Sequence, residues 1–95
     1  MEWSREITAG AIADCVARLC VRACTALPAP VSALLRKADE AEPYPPAKEA
    51  LALIRKNAEI AKTESLPICQ DTGMTVVFAD VGQDVHITGG TLEDA

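Results

Sequence analysis

Pro67-Ile68-Cys69-Gln70-Asp71-Thr72-Gly73 is the stretch on which the fold turns. Four successive positions carry a thiol, a primary amide, a carboxylate and a hydroxyl, set between a proline and a glycine. A helical stripe would space such groups by three or four, and a strand would send alternate ones to opposite faces. Pro67 biases Leu66 away from helical backbone angles and so ends what precedes it. Gly73 accepts angles that other residues resist. The pattern predicts a short irregular loop presenting soft and hard ligands together, with helix before it and strand after it. Functional groups concentrate on loops held in this way.

Upstream, residues 4–26 carry a helical stripe. Ile7, Ala11, Cys15, Leu19 and Ala23 recur every fourth position, widened by Ile12, Val16 and Cys20. Ser4 is the expected N-cap. Cys20 and Cys24 are one turn apart, but no second ligand pair at zinc-site spacing exists, so these cysteines read as small apolar packing groups. Leu27-Pro28-Ala29-Pro30 breaks this helix. A second helix is expected over 30–41, with Val31, Leu34, Leu35 and Ala38 as its apolar positions. It runs into Asp39-Glu40-Ala41-Glu42, expected as a solvated acidic face. Pro43-Tyr44-Pro45-Pro46 opens a third helix, 46–63, with a stripe of Ala47, Leu51, Ile54, Ala58 and Ala61. Asn57 lies on the inward edge of that stripe. It reads as a polar clip between helices or as a brace for the loop that follows.

Downstream, Met74-Thr75-Val76-Val77-Phe78-Ala79-Asp80-Val81 has the composition and length of a strand. Both of its faces are largely apolar, so it needs cover on both sides. Gly82-Gln83-Asp84 is the expected turn into Val85-His86-Ile87-Thr88, giving an antiparallel hairpin. His86, on the face opposite Val85 and Ile87, reads as a surface residue. Thr91-Leu92-Glu93-Asp94 resembles a helix entry with a capping box.

Ninety-five residues allow a single small domain, and a core rich in alanine with only three aromatic residues is thin. A net charge of −5 argues against a nucleic-acid surface. The start of the chain is charged and lacks a signal-peptide pattern, and no apolar run reaches membrane-spanning length. A cytoplasmic, non-membrane protein with reduced thiols is expected.

PICQDTG followed by MTVVFADVGQDV resembles the signature of the iron–sulfur-dependent hydro-lyases, the class I fumarases and the alpha subunits of L-tartrate dehydratase. Glu42, Pro46, Asn57, Ile60 and Ala61 are similar to that family's pattern before its cysteine loop, and GGTLEDA to its Gly-Gly-x-Leu stretch. The resemblance implies a [4Fe-4S] cluster held by three cysteines, of which Cys69 is the one in this chain. It implies Gln70 and Asp71 as substrate-binding residues, with Asp71 also catalytic. The substrate would be a small dicarboxylate, fumarate or malate first and tartrate second. The cluster's open iron would act as a Lewis acid in adding or removing water. In length the chain resembles the amino-terminal part of a hydro-lyase alpha subunit. It would then need a beta subunit or a fused beta domain, would form a homodimer of the catalytic unit, and would be inactive alone.

The fold expected is α+β, an incomplete piece of a larger α/β catalytic domain covering 1–95. It comprises a helical part (1–66) with three amphipathic helices, the ligand-bearing loop (67–73), a β-hairpin (74–90) and the start of a helix (91–95). Two other functions are open on the residues. A thiol enzyme would use Cys69 as nucleophile and need His86 as its base. A non-catalytic helical interaction module would leave the loop cysteine incidental. The isolated chain is expected to self-associate, because its apolar strand lacks cover.

Overall fold

The computed structural model describes residues 5–71 and 73–95. The expected N-cap at Ser4 lies outside them. The elements in order are β1 (Arg5–Thr8), α1 (Ala9–Thr25), α2 (Ala29–Ala41), α3 (Pro45–Glu64) and β2 (Val85–Thr88). They fall into two compact units, Met1–Val21 with Gly73–Ala95, and Arg22–Thr72.

In the first unit, β1 and β2 form a two-stranded parallel sheet with Arg5 opposite Val85 and Thr8 opposite Thr88. The Arg5 N–H also donates to the Asp84 carbonyl at 2.9 Å. This overturns the expected hairpin. The partner of 85–88 is the start of the chain, and the pairing is parallel. It also moves the start of the first helix, because Arg5–Thr8 is strand. Thr8 closes the strand and caps α1, its Oγ1 accepting from the Ala11 N–H at 3.0 Å. The half-buried line along α1 runs through Ile12, Val16 and Cys20, while Ala11, Cys15, Leu19 and Ala23 are exposed. Cys15 and Cys24 are thus exposed thiols rather than packing groups, and Cys20 alone of the three is half-buried.

Residues 73–82 carry neither strand nor helix. Met74 and Phe78 are 89% and 95% exposed. The run has strong β propensity, but propensity describes fit to a pleated, half-buried surface, and among the described residues no strand lies beside it. Gly82 accepts from the Val85 N–H at 3.2 Å and turns the chain into β2. After β2, Gly89 and Gly90 both have positive φ. Thr91 Oγ1 then accepts from the Asp94 N–H at 3.1 Å, and the Thr91 carbonyl from the Ala95 N–H at 3.1 Å, forming one helical turn.

In the second unit the substantial helix packing is between two helices, α2 and α3. The architecture of three amphipathic helices followed by a hairpin is therefore corrected to a packed helix pair in this unit and a parallel strand pair in the other. Prolines set the helix starts, since the first turn of each has no intrahelical use for the missing N–H. Both α2 and α3 begin with proline at the first or second position. α3 turns Ala47, Leu51, Arg55, Ala58 and Ala61 inward, so Arg55 takes the place expected for Ile54, which is half exposed.

The reason is Asp39. The acidic stretch was expected to be a solvated face, yet Asp39 is 8% exposed. Its Oδ2 accepts from Arg55 Nη1 at 2.6 Å, and its Oδ1 faces Lys48 Nζ at 3.5 Å. Lys48 Nζ also donates to the Asp39 backbone carbonyl. A carboxylate can enter a helix interface when charged donors replace the water it loses. The hydrogen bond from Arg55, with Lys48 nearby, holds the Asp39 carboxyl below the usual carboxylate range, against an opposing push from desolvation. A depressed folded pKa means the stabilisation is present above the unfolded value of 3.8 and is lost as pH falls through the lower folded value. Thermal melts from neutral pH downwards should therefore show an acid limb below the unfolded-chain value of 3.8, and Asp39→Asn should flatten it. An acid limb of equal size in the variant would remove Asp39 from this role.

α3 ends at Ser65, which takes left-handed angles of φ 53° and ψ 45°. The Ala61 carbonyl accepts from the Ser65 N–H and, at 2.9 Å, from the Leu66 N–H. This is the helix-ending arrangement that normally uses glycine. Ser65→Gly should raise stability by about 0.5–1 kcal/mol, because it relieves the left-handed backbone at some cost in unfolded-chain entropy. Denaturant titration measures it. A fall in midpoint would mean that the serine side chain makes a compensating contact.

Candidate functional site

The reversal at Ser65 brings the chain back along α3, and Pro67 keeps it from re-entering a helix. Bends follow at Ile68, Cys69 and Gln70. The Ile68 peptide is held on both sides. Its N–H donates to the Cys24 carbonyl near the end of α1 at 2.9 Å, and its carbonyl accepts from Asn57 Nδ2 at 2.8 Å. Ile68 is half-buried, and the side chains that follow it are presented outwards. Cys69, Gln70 and Asp71 are all exposed.

Cys69 Sγ donates to the Asp71 backbone carbonyl at 3.2 Å, closing a tight local turn. That bond holds the thiol beside the carboxylate residue two positions on. Thr72 lies outside the described residues. Gly73 has φ +62°, a left-handed angle that a side chain would strain. Glu42, singled out in the sequence, turns its Oε1 to the Tyr44 N–H at 3.1 Å, so it braces the turn into α3.

The groove between α2 and α3, about 630 Å³, is lined by Leu35, Arg36, Asp39, Arg55 and Lys62 among others, and not by the loop residues. A second concavity, about 480 Å³, lies in the unit of the strand pair, with Ile7, Ile12, Val85, Ile87 and Leu92 in its wall.

The described residues do not gather the ligands of the cluster implied for Cys69. Among the described residues no three His, Cys, Asp or Glu side chains lie where they could hold a metal ion. All four cysteines are free, three of them exposed and Cys20 half-buried. A cluster held by three thiolates needs them gathered around one point, and Cys69 has no second cysteine gathered to it. The [4Fe-4S] expectation is corrected accordingly, and no chemical step is built on it. The sequence missed the pairing of Asn57 with Ile68 as a definite contact. Its signal was a polar residue beside an apolar stripe, which leaves the partner open.

Loop and helices together define a helix-braced strip of polar groups. Residues 13–95 match the family model described as fumarate hydratase (Fumerase), and the chain belongs to that family. It is 35% identical over 75 residues to the putative L(+)-tartrate dehydratase subunit alpha of Methanocaldococcus jannaschii. That alignment covers 79% of this chain and 26% of that protein, so the chain spans about a quarter of the length of the curated relative it matches. No solved structure matches the chain. No helix among the described residues is long and apolar enough to cross a membrane.

Proposed function

We propose that the chain is part of a hydro-lyase that adds water to, or removes it from, a small dicarboxylate. Family membership over residues 13–95 is the observation that carries this. Fumarate or malate is the first substrate, following the family description, and tartrate the second, following the relative's name. Gln70 donates its amide to a substrate carboxylate. Asp71, ionised, accepts a hydrogen bond from the substrate hydroxyl. Repulsion between like charges keeps it from a direct contact with an ionised substrate carboxylate. Cys69 stands beside them as the soft donor of the loop, and no step is assigned to it.

Exposure of all three side chains on one short loop supports this arrangement, since substrate must reach them. The Cys69 thiol donates to a carbonyl and has no base among its described partners, which disfavours the nucleophile alternative. A second subunit or fused domain completes the enzyme, and the catalytic unit is a homodimer. The relative's designation as a subunit alpha supports the first of these. Four free thiols support a reducing, cytoplasmic setting.

The test is a direct assay of the complete protein for hydration of fumarate and dehydration of malate and tartrate. Turnover of one of them supports the proposal. Absence of turnover on all three, in a folded and fully assembled preparation, would overturn it. The 95-residue chain alone is expected to be inactive.

A further inference from the structure

We propose that the groove between α2 and α3 is the docking site for an acidic amphipathic helix of a partner protein. The two walls are helices of 13 and 20 residues that bury little between them, with Asp39 the buried residue of α2 and Ala61 that of α3. The groove of about 630 Å³ has small side chains on its walls, Ala33, Ala52 and Ala58 among them. Short side chains let a third helix approach closely, and a helix laid between two others is a common way of covering such a surface. Charge decides which helix fits. The chain has a net charge of −5, yet Arg36, Arg55, Lys56 and Lys62 line this groove against Asp39 and Glu59. Asp39 is taken up by Arg55 and Lys48, and among the described residues no other ion pair is made. Glu40 lies four residues after Arg36, and Glu59 three from both Lys56 and Lys62. Those spacings pair opposite charges on a helix, but none of these pairs forms. Glu59 accepts instead from Thr63 Oγ1 at 3.5 Å. Arg36, Lys56 and Lys62 are thus three exposed cations without a carboxylate.

The three cations are strung along the groove. Lys62 stands about 9 Å further along the axis of α3 than Lys56, at 1.5 Å per residue. A single phosphate or carboxylate is held by donors that converge on it, so a small anion does not match this spread. A row of carboxylates does, and a partner helix presents one at intervals of three and four residues. Matching of charge in this way steers the partner and fixes its orientation. A second copy of the chain has no such helix to offer. α1 sets Arg18 and Arg22 against Asp14, and α2 sets Arg36 and Lys37 against Asp39 and Glu40. α3 sets Lys48, Arg55, Lys56 and Lys62 against Glu49, Glu59 and Glu64. None of the three is acidic, so the occupant is a different protein.

The experiment titrates the whole chain against a labelled synthetic helix of about 18 residues, with leucines on one face and glutamates flanking them. Its controls are the same peptide with lysines for glutamates and an oligoglutamate of equal charge. Fluorescence anisotropy reads affinity, and amide hydrogen exchange with and without peptide reads the place of binding. The acidic helix is expected to bind and to slow exchange in α2 and α3 while β1 and β2 are unchanged. Arg36→Glu with Lys62→Glu should weaken it by about tenfold or more and should bind the lysine peptide instead. Where that reversal lowers the melting temperature, Arg36→Gln with Lys62→Gln takes its place, with a loss of about threefold expected. The proposal is overturned if the acidic helix does not bind, or if both pairs of substitutions leave its affinity unchanged. It is overturned too if the oligoglutamate binds as tightly, since the groove would then attract any anion. Loss of the chain's own self-association in Arg36→Glu with Lys62→Glu, read by sedimentation, would assign the groove to a second copy and also overturn it.

Discussion

Asp71→Asn in the complete protein is expected to slow dicarboxylate turnover by about 100-fold or more, with the melting temperature unchanged. The substitution keeps the shape of the side chain and removes its charge. A hydrogen bond to an ionised acceptor is roughly twice as strong as one between neutral groups. Groups that handle a proton or a hydroxyl in the transition state contribute about 10²- to 10⁴-fold. Gln70→Ala should cost less, about tenfold and mainly in KM, because it removes a neutral donor to a bound carboxylate. The order of the two effects is the sharper part of the prediction. Steady-state kinetics on both variants decides it. Should Asp71→Asn leave kcat within twofold of the parent, Asp71 is not the residue that meets the substrate hydroxyl. Both side chains are exposed, so neither substitution should disturb the packing of α2 on α3.

The isolated chain is expected to self-associate at micromolar concentration, and Met74→Lys with Phe78→Lys should reverse this. Among the described residues, Ala9 and Ala61 are the buried hydrophobic ones. The accessible surface is 8072 Å², whereas a folded monomer of 10.0 kDa should expose about 5,200 Å². Five of the exposed large hydrophobics fall in one run, since Met74, Val76, Val77, Phe78 and Val81 are all at least half exposed. The same run has an unpaired backbone of strand-forming sequence, which invites pairing with another chain. Covering Met74 and Phe78 in an assembly is worth about 3 kcal/mol, roughly a 100-fold gain in association constant. Two lysines should remove that gain and add repulsion. They should not unfold the helix pair, because 73–82 belongs to the other unit. Sedimentation velocity over a range of concentrations measures the change. A monodisperse parent chain with a sharp cooperative melt would refute the prediction.

The placement of α2 and α3 was legible because it is a local matter, whereas the start of α1 was displaced by strand β1. The prolines at 28, 30, 45, 46 and 67 limit the helices wherever they fall, and each helix closes its hydrogen bonds within its own segment. The observed α2 and α3 lie within two residues of the expected ranges. The family signature was legible for a similar reason, being written in consecutive residues. The loop itself could be read from a proline, a glycine and four polar groups that no regular element would place together.

Strand identity and burial were decided elsewhere. Residues 74–81 have the composition of a strand and remain without one, whereas the charged tetrapeptide Arg5-Glu6-Ile7-Thr8 forms one. A strand's hydrogen bonds are made to another segment, and the partner of 85–88 lies some eighty residues away along the chain. No local pattern encodes that choice. The same holds for Asp39, which counts as solvated on composition and is buried because Arg55 and Lys48 converge on it from the next helix. It holds for the cysteines too. Cys15 and Cys24 read as packing groups and are exposed, and the ligand role implied for Cys69 depends on three side chains meeting at a point, which is a property of tertiary arrangement alone. Local backbone chemistry is carried by neighbouring residues and can be read from them in order. Pairing, burial and ligand convergence depend on distances between residues far apart in sequence, and only the folded chain sets those.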